Sequence, residues 1–136
     1  MKELWTKVES EYHGKYYDFP AVYSFPRPTQ RPHPPVLLGG MARNVFRRVV
    51  DYGDGWMPNR VTPEQIKQGS ETIAELADAA GRDPSSISVS VFGQPADRGL
   101  IEQLLEAGAD RVMVRLETAP EEESIAALES IAETVL

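Results

Sequence analysis

Val36-Leu37-Leu38-Gly39-Gly40 is a short apolar run closed by two glycines, and its reading together with the helix pattern after it decides the fold. A run this short and this apolar suits a buried parallel strand. Ala42, Val45, Phe46, Val49 and Val50 come next at helical spacing, with Arg43, Arg47 and Arg48 elsewhere on the surface. Gly53 stands where that helix would be capped. The same strand–helix unit then recurs downstream. Gly55-Trp56-Met57 is a second short strand, ended by Pro58. Thr62-Pro63-Glu64-Gln65 is a capping box with proline at the first helical position. It opens a helix carrying Ile66, Ile73, Leu76, Ala77 and Ala80, which stops at Gly81 with Asp83-Pro84 just beyond.

Ser86 to Phe92 alternates strictly and is the clearest strand. Asp97 can cap a helix bearing Leu100, Ile101, Leu104 and Leu105, closed by Gly108. Arg111 to Leu116 reads as a fourth strand. Thr118 and Glu121 open a last helix with Ile125, Leu128, Ile131, Ala132 and Val135. This alternation predicts an α/β fold with a parallel sheet and right-handed crossovers. An open doubly wound sheet and part of a closed barrel both fit. Four strands are few for a stable open sheet, and they are half of eight.

Upstream the pattern is different. Residues 1–10 read as a short helix with Leu4, Trp5 and Val8 on one side. No N-cap is visible, so the chain is read as starting inside this helix, a first hint of a truncated fold. Residues 18–35 hold six of the eleven prolines, which predicts an extended connector, since proline fixes φ and disfavours a helix before it. A linker and a long ordered loop over a domain face both suit it. The expected division is therefore 1–35, an N-terminal helix and proline-rich loop, and 36–136, four strand–helix units.

Composition narrows the function classes. Hydrophobic residues make 41% and charged residues 26%, as in an ordinary soluble globular domain. There is no run of 18 apolar residues, so no membrane association is expected. Met1 to Glu9 is charged and lacks the apolar core of a signal peptide. Cysteine is absent, which excludes disulfides, thiolate metal sites and cysteine nucleophiles and fits a cytoplasmic home. A net charge of −7 argues against broad nucleic-acid binding, which needs a basic surface.

In either architecture ligands gather at the carboxyl ends of the strands. Gly39-Gly40-Met41 is the first candidate. Glycines permit close backbone approach, and the helix start offers free N–H donors at the positive end of a dipole. Together they suit a phosphate, with Arg43 or Arg47 adding charge; a tight strand–helix turn and nothing more is the plainer reading. At the second place, Gly53 to Pro58, Trp56 reads first as a space-filling core residue and Asp54 as a cap or turn former. At the third, Ser88, Ser90 and Phe92 share a face opposite Ile87, Val89 and Val91, which suits a barrel lumen with Phe92 at its ligand end. At the fourth, Arg115 reads best as the salt-bridge partner of Glu117 or a helix glutamate. His13 and His33 show no metal spacing, so no metal site is expected. No serine–histidine–aspartate arrangement is readable. Glu121-Glu122-Glu123 is a helix start that the macrodipole favours.

Taken together, these segments resemble one family. Pro28-Thr29-Gln30-Arg31-Pro32-His33-Pro34-Pro35-Val36-Leu37-Leu38-Gly39-Gly40 resembles the segment leading into the fifth barrel strand of the luciferase-like monooxygenases. Tyr52-Gly53-Asp54-Gly55-Trp56-Met57-Pro58 resembles their sixth-strand motif. Gly81-Arg82-Asp83-Pro84 and Gly108-Ala109-Asp110-Arg111-Val112 resemble the lead-ins to the seventh and eighth strands. The similarity is greatest to the deazaflavin (coenzyme F420)-dependent branch, with FMN-using relatives as the alternative.

The resemblance implies strands five to eight of a (β/α)8 TIM barrel. It also implies oxidoreductase or monooxygenase chemistry on a small-molecule substrate with bound F420 or FMN. Gly39, Gly40 and Met41 would hold the cofactor phosphate, and Trp56 and Phe92 would form apolar wall near the ring or substrate. No catalytic acid or base can be carried over, because the first four strands are absent. Half a barrel leaves open edges at Val36–Leu38 and Arg111–Leu116 and bares Leu37 or Leu38, Met57, Phe92 and Met113. A homodimer or a complementing half-barrel chain is therefore expected. A non-catalytic half-barrel binding module and a structural remnant are the competing functions.

Overall fold

The computed structural model describes residues 1–136, the side chain of Arg43 excepted. The chain forms two compact units, Met1–Pro35 and Val36–Leu136.

The first unit corrects two expectations. The helix read over residues 1–10 is only α1, Lys2–Thr6. Lys7 is already extended, and Glu9–His13 is a strand, β1. Its partner β2, Asp18–Tyr23, lies inside the stretch expected to be an extended connector without strand pairing. The two run antiparallel, with Glu9 opposite Tyr23 and His13 opposite Asp18. The physical reason is pairing. Tyr12 stacks on Phe19 at 6.2 Å, Gly14 N–H donates to the Tyr17 carbonyl at 2.9 Å, and His13 Nδ1 meets Asp18 Oδ1 at 2.6 Å. Cross-strand contacts of this kind override local propensity. Pro20 is tolerated because a strand in a two-stranded ribbon has an edge that needs no N–H.

The second unit is α/β. Its strands β3 (Leu37–Gly39), β4 (Gly55–Met57), β5 (Ser88–Gln94) and β6 (Arg111–Val114) form one parallel sheet in that order. Helices α2 (Arg43–Tyr52), α3 (Pro63–Ala79), α4 (Arg98–Glu106) and α5 (Glu121–Val135) follow the strands in turn. Register aligns Leu38 with Trp56 and Trp56 with Val89, and Val91 with Val112. That face packs on Val49, Ile66, Ile73, Ala77 and Leu104 to make the core. Trp56, Ile66, Leu104, Val49 and Val91 are fully buried, and each aliphatic side chain among them contributes about 1.5–3 kcal/mol of transfer free energy. The opposite face carries Leu37, Met57, Phe92 and Met113, so of the two leucines it is Leu37 that turns away from the core.

Several boundaries shift for local reasons. β5 begins at Ser88 because Pro84–Ser86 is a 3-10 turn, held by Ser85 N–H donating to Asp83 Oδ1 at 2.9 Å. β6 ends at Val114 rather than Leu116; beyond it Arg115 pairs with Glu117. α5 has Pro120 at its N-cap and no side-chain cap, so Thr118 does not open it. The capping box of α3 forms as expected, with Gln65 N–H donating to Thr62 Oγ1 at 3.3 Å and Thr62 N–H to Gln65 Oε1 at 2.9 Å.

Two aspartates fasten the amino ends of the sheet in the same way. Asp54 Oδ2 accepts from Val36 N–H at 2.7 Å, and Asp54 N–H donates to the Val36 carbonyl at 2.8 Å. Asp110 repeats both bonds, at the same two distances, with Val89. Each thus ties the strand it precedes to the neighbouring strand. Arg82 closes the far end of α2, donating to the carbonyls of Val49 at 3.1 Å and Val50 at 2.9 Å. No helix is long and apolar enough to cross a membrane.

Candidate cofactor site

The carboxyl ends of the four strands lie at one rim of the second unit, where each strand feeds a helix. The helix starts there differ in one respect that bears on ligands. α3 is capped by Thr62, and the Glu64 carboxylate sits in its first turn. That carboxyl is held below its usual range by its own backbone N–H and then by the Thr62 hydroxyl. α4 is capped by Asp97, whose Oδ1 accepts from Leu100 N–H at 3.0 Å. α5 begins with Glu121, Glu122 and Glu123. Each of these starts already carries its own anionic or hydroxyl partner.

α2 does not. Its N-cap is Ala42, it has no side-chain cap and it has no acid in its first turn. Among the described residues it is the only helix with neither. The first N–H groups of a helix have no partner within it and carry the positive end of its dipole. At α2 the Val45 N–H donates to the Ala42 carbonyl at 2.8 Å, and the donors ahead of it have no side-chain cap.

Gly39-Gly40-Met41 forms the approach to that helix start. Gly40 has φ +101°, a conformation that a side chain disfavours. Gly39, Gly40, Met41 and Ala42 are all exposed, so a ligand has access to the turn. A Cβ on Gly39 would stand 3.4 Å from the Met57 carbonyl. An open glycine turn ahead of an uncapped helix fits a phosphate group. Of the two arginines considered for added charge, Arg47 stands 4.0 Å from Asp51 on the exposed side of α2, and the side chain of Arg43 lies outside the described residues.

Trp56 lies differently from the place expected of a cofactor contact. It has no exposed surface and belongs to the core face of the sheet, so it does not reach a ligand directly. Its indole Nε1–H instead donates to the Gly40 carbonyl at 2.8 Å. Phe92 is 51% exposed on the opposite face, beside Met113 in register. It is thus available to a ligand over that face. Ser90, on the same face as Phe92, is buried. Arg115 makes a two-pronged pair with Glu117, both bonds at 2.9 Å.

Sequence reasoning missed a bulge next to Phe92. Gly93 has φ +75°, and register slips there, so that Phe92 pairs with Met113 but Gln94 with Val114. The extra residue turns Gln94 off the Phe92 face. Gln94 is buried and its Nε2 donates to the Val61 carbonyl at 3.1 Å. A cleft of about 490 Å³ opens there, lined by Arg60, Thr62, Gln94, Arg115 and Glu117 among others. The glycine inside a strand pattern was the available signal. Among the described residues no group of three or more His, Cys, Asp or Glu could hold a metal ion.

Comparison with known proteins gives a consistent picture. The family model described as luciferase-like monooxygenase matches residues 1–133. An uncharacterized protein of Mycobacterium tuberculosis is 32% identical over 146 residues, covering all of this chain and 49% of that protein. The FMNH(2)-dependent dimethylsulfone monooxygenase of Pseudomonas putida is 32% identical over 92 residues, covering 68% of this chain and 25% of that enzyme. Among solved structures, the coenzyme F420-dependent tetrahydromethanopterin reductase of Methanopyrus kandleri superposes with a TM-score of 0.74 at 18% identity. That match covers 98% of this chain and 59% of the reductase, and at this identity it speaks for the fold. The chain spans about half the length of the mycobacterial relative.

Proposed function

Because this chain belongs to the luciferase-like monooxygenase family, we propose that it forms strands five to eight of a (β/α)8 barrel and holds the phosphate of a flavin-type cofactor on Gly39, Gly40 and Met41. The observation that carries the reading is the α2 start, the one helix among the described residues with neither side-chain cap nor first-turn acid, fronted by an exposed glycine turn. F420 is the first choice of cofactor and FMN the alternative, and relatives of both kinds support a flavin-type group. When bound, the group supplies hydride transfer in the case of F420, or oxygen activation in the case of reduced FMN. The chain's own residues bind and orient it. Phe92 offers exposed apolar surface to the ring or to a small-molecule substrate.

The same reading gives the chain a partner. Phe92 is 51% exposed on the sheet face away from the core, and Ile125 and Leu128 on α5 are 51% and 57% exposed. β3 and β6 each have one unpaired side within the second unit. A second half-barrel, from another copy or from a complementing chain, would cover these surfaces and close the sheet. A non-catalytic binding module is the competing function. Turnover of reduced cofactor by the purified protein separates the two.

The phosphate site is tested by titrating the protein with FMN against riboflavin, and with F420 against its phosphate-free deazaflavin. The phosphorylated member of a pair should bind more tightly. Equal affinities within both pairs would remove the phosphate site.

A further inference from the structure

We infer that Trp56 is the positioning residue of the glycine turn: by holding the Gly40 carbonyl inward, its buried indole N–H turns the Met41 N–H outward, toward the bound anion. The inference rests on the phosphate reading and adds to it a residue that the anion never touches.

The Gly40–Met41 peptide unit links the two groups. It is planar, and in a trans peptide the carbonyl and the N–H point in opposite directions. Fixing one fixes the other. The Gly40 carbonyl accepts from Trp56 Nε1 at 2.8 Å, on the core side of the sheet. Met41 N–H therefore faces away from the core, at the start of α2, where Gly40, Met41 and Ala42 are exposed.

The donor is as well placed as it can be for such a task. A buried indole N–H needs a partner, and here Gly40 is the one it has. The ring itself is pinned. Phe46 meets it edge-on at 5.1 Å and 74°, and Gly69 of α3 lies directly against its far edge. Trp56 belongs to β4, whereas Gly40 follows β3, so the bond crosses between neighbouring strands and spans 16 residues. Gly40, at φ +101°, is free to rotate its peptide in the absence of that bond. The bond thus selects one orientation of an otherwise permissive turn.

The test removes the N–H and keeps the ring. Benzothienylalanine, in which sulfur replaces the indole N–H, is placed at position 56 in a Trp5→Phe background, with Trp56→Phe as the simpler variant. Affinities for FMN and riboflavin are measured on the full chain, with F420 and its phosphate-free deazaflavin alongside. Losing one oriented donor should lower the preference for the phosphorylated ligand by about tenfold. Affinity for riboflavin should hardly change. Exchange of the Met41 amide, followed by NMR, should lose its response to FMN. A folded variant that keeps the native FMN-to-riboflavin ratio overturns the inference. If Trp56→Phe does not fold, the benzothienylalanine protein decides. A native chain with no preference for FMN or F420 over the phosphate-free forms instead overturns the phosphate reading, and this inference with it.

Discussion

Gly69 of α3 lies against the Trp56 ring so closely that no side chain fits between them. A Cβ at position 69 would stand 2.5 Å from Trp56 Cζ3 and 3.1 Å from Cζ2. Trp56 has no room to yield, being fully buried against Phe46. Alanine ordinarily stabilises a helix interior over glycine by about 1 kcal/mol. Here Gly69→Ala should instead destabilise, since overpacking a rigid core costs about 1–3 kcal/mol. Trp56→Ala alone should cost about 3–5 kcal/mol. In that background Gly69→Ala should become neutral or stabilising. Urea unfolding of the four proteins checks the cycle, and a stabilising Gly69→Ala in the native background would contradict the packing.

Gly40→Val should act on binding and on stability together. Its φ of +101° is strained for any side chain, at a cost of about 1–2 kcal/mol. A branched Cβ also blocks close approach to the turn. Binding of F420 or FMN should weaken markedly, while Gly40→Ala should show the same strain with less obstruction. A folded Gly40→Val protein with native affinity would remove the site from this turn.

Asp54→Ala and Asp110→Ala should each lower stability by about 1–3 kcal/mol, because each strands a backbone N–H that has lost its carboxylate. Asp54 is the more buried of the two and should cost more. The two clamps hold different strand pairs, β3–β4 through Val36 and β5–β6 through Val89. Their effects should therefore add in the double variant. Chemical denaturation measures all three, and a strongly non-additive result would mean that the sheet does not behave as separately fastened pairs.

Sedimentation at micromolar concentration should show a dimer or larger species. The half-exposed Phe92, Ile125 and Leu128 and the unpaired edges of β3 and β6 are the reason. Phe92→Asp should weaken self-association if the sheet face is buried in it. A compact monomer that unfolds cooperatively at that concentration would contradict the half-barrel reading.

The sequence by itself determined the second unit in nearly all its parts. Thr62 and Gln65 announced the start of α3, Asp97 that of α4, and Gly55-Trp56-Met57 was legible as a strand to the residue. These signals are local: a cap, a proline or an apolar run acts within a few residues of itself, so it can be read without knowing the fold. The parallel sense of the strands followed from the same alternation, but their sequential order did not, because a doubly wound sheet fits that alternation as well. Tertiary structure alone decided what depends on distant partners. Glu9–His13 became a strand because Asp18–Tyr23 pairs with it. The bulge at Gly93 turned Gln94 toward Val61, 33 residues away. Trp56 was legible as a core residue from its type, but not as the donor to Gly40, because that bond exists only once β3 and β4 lie side by side. Glycine at position 40 could be read as permitting the turn; which way its carbonyl points is set by a ring 16 residues further on.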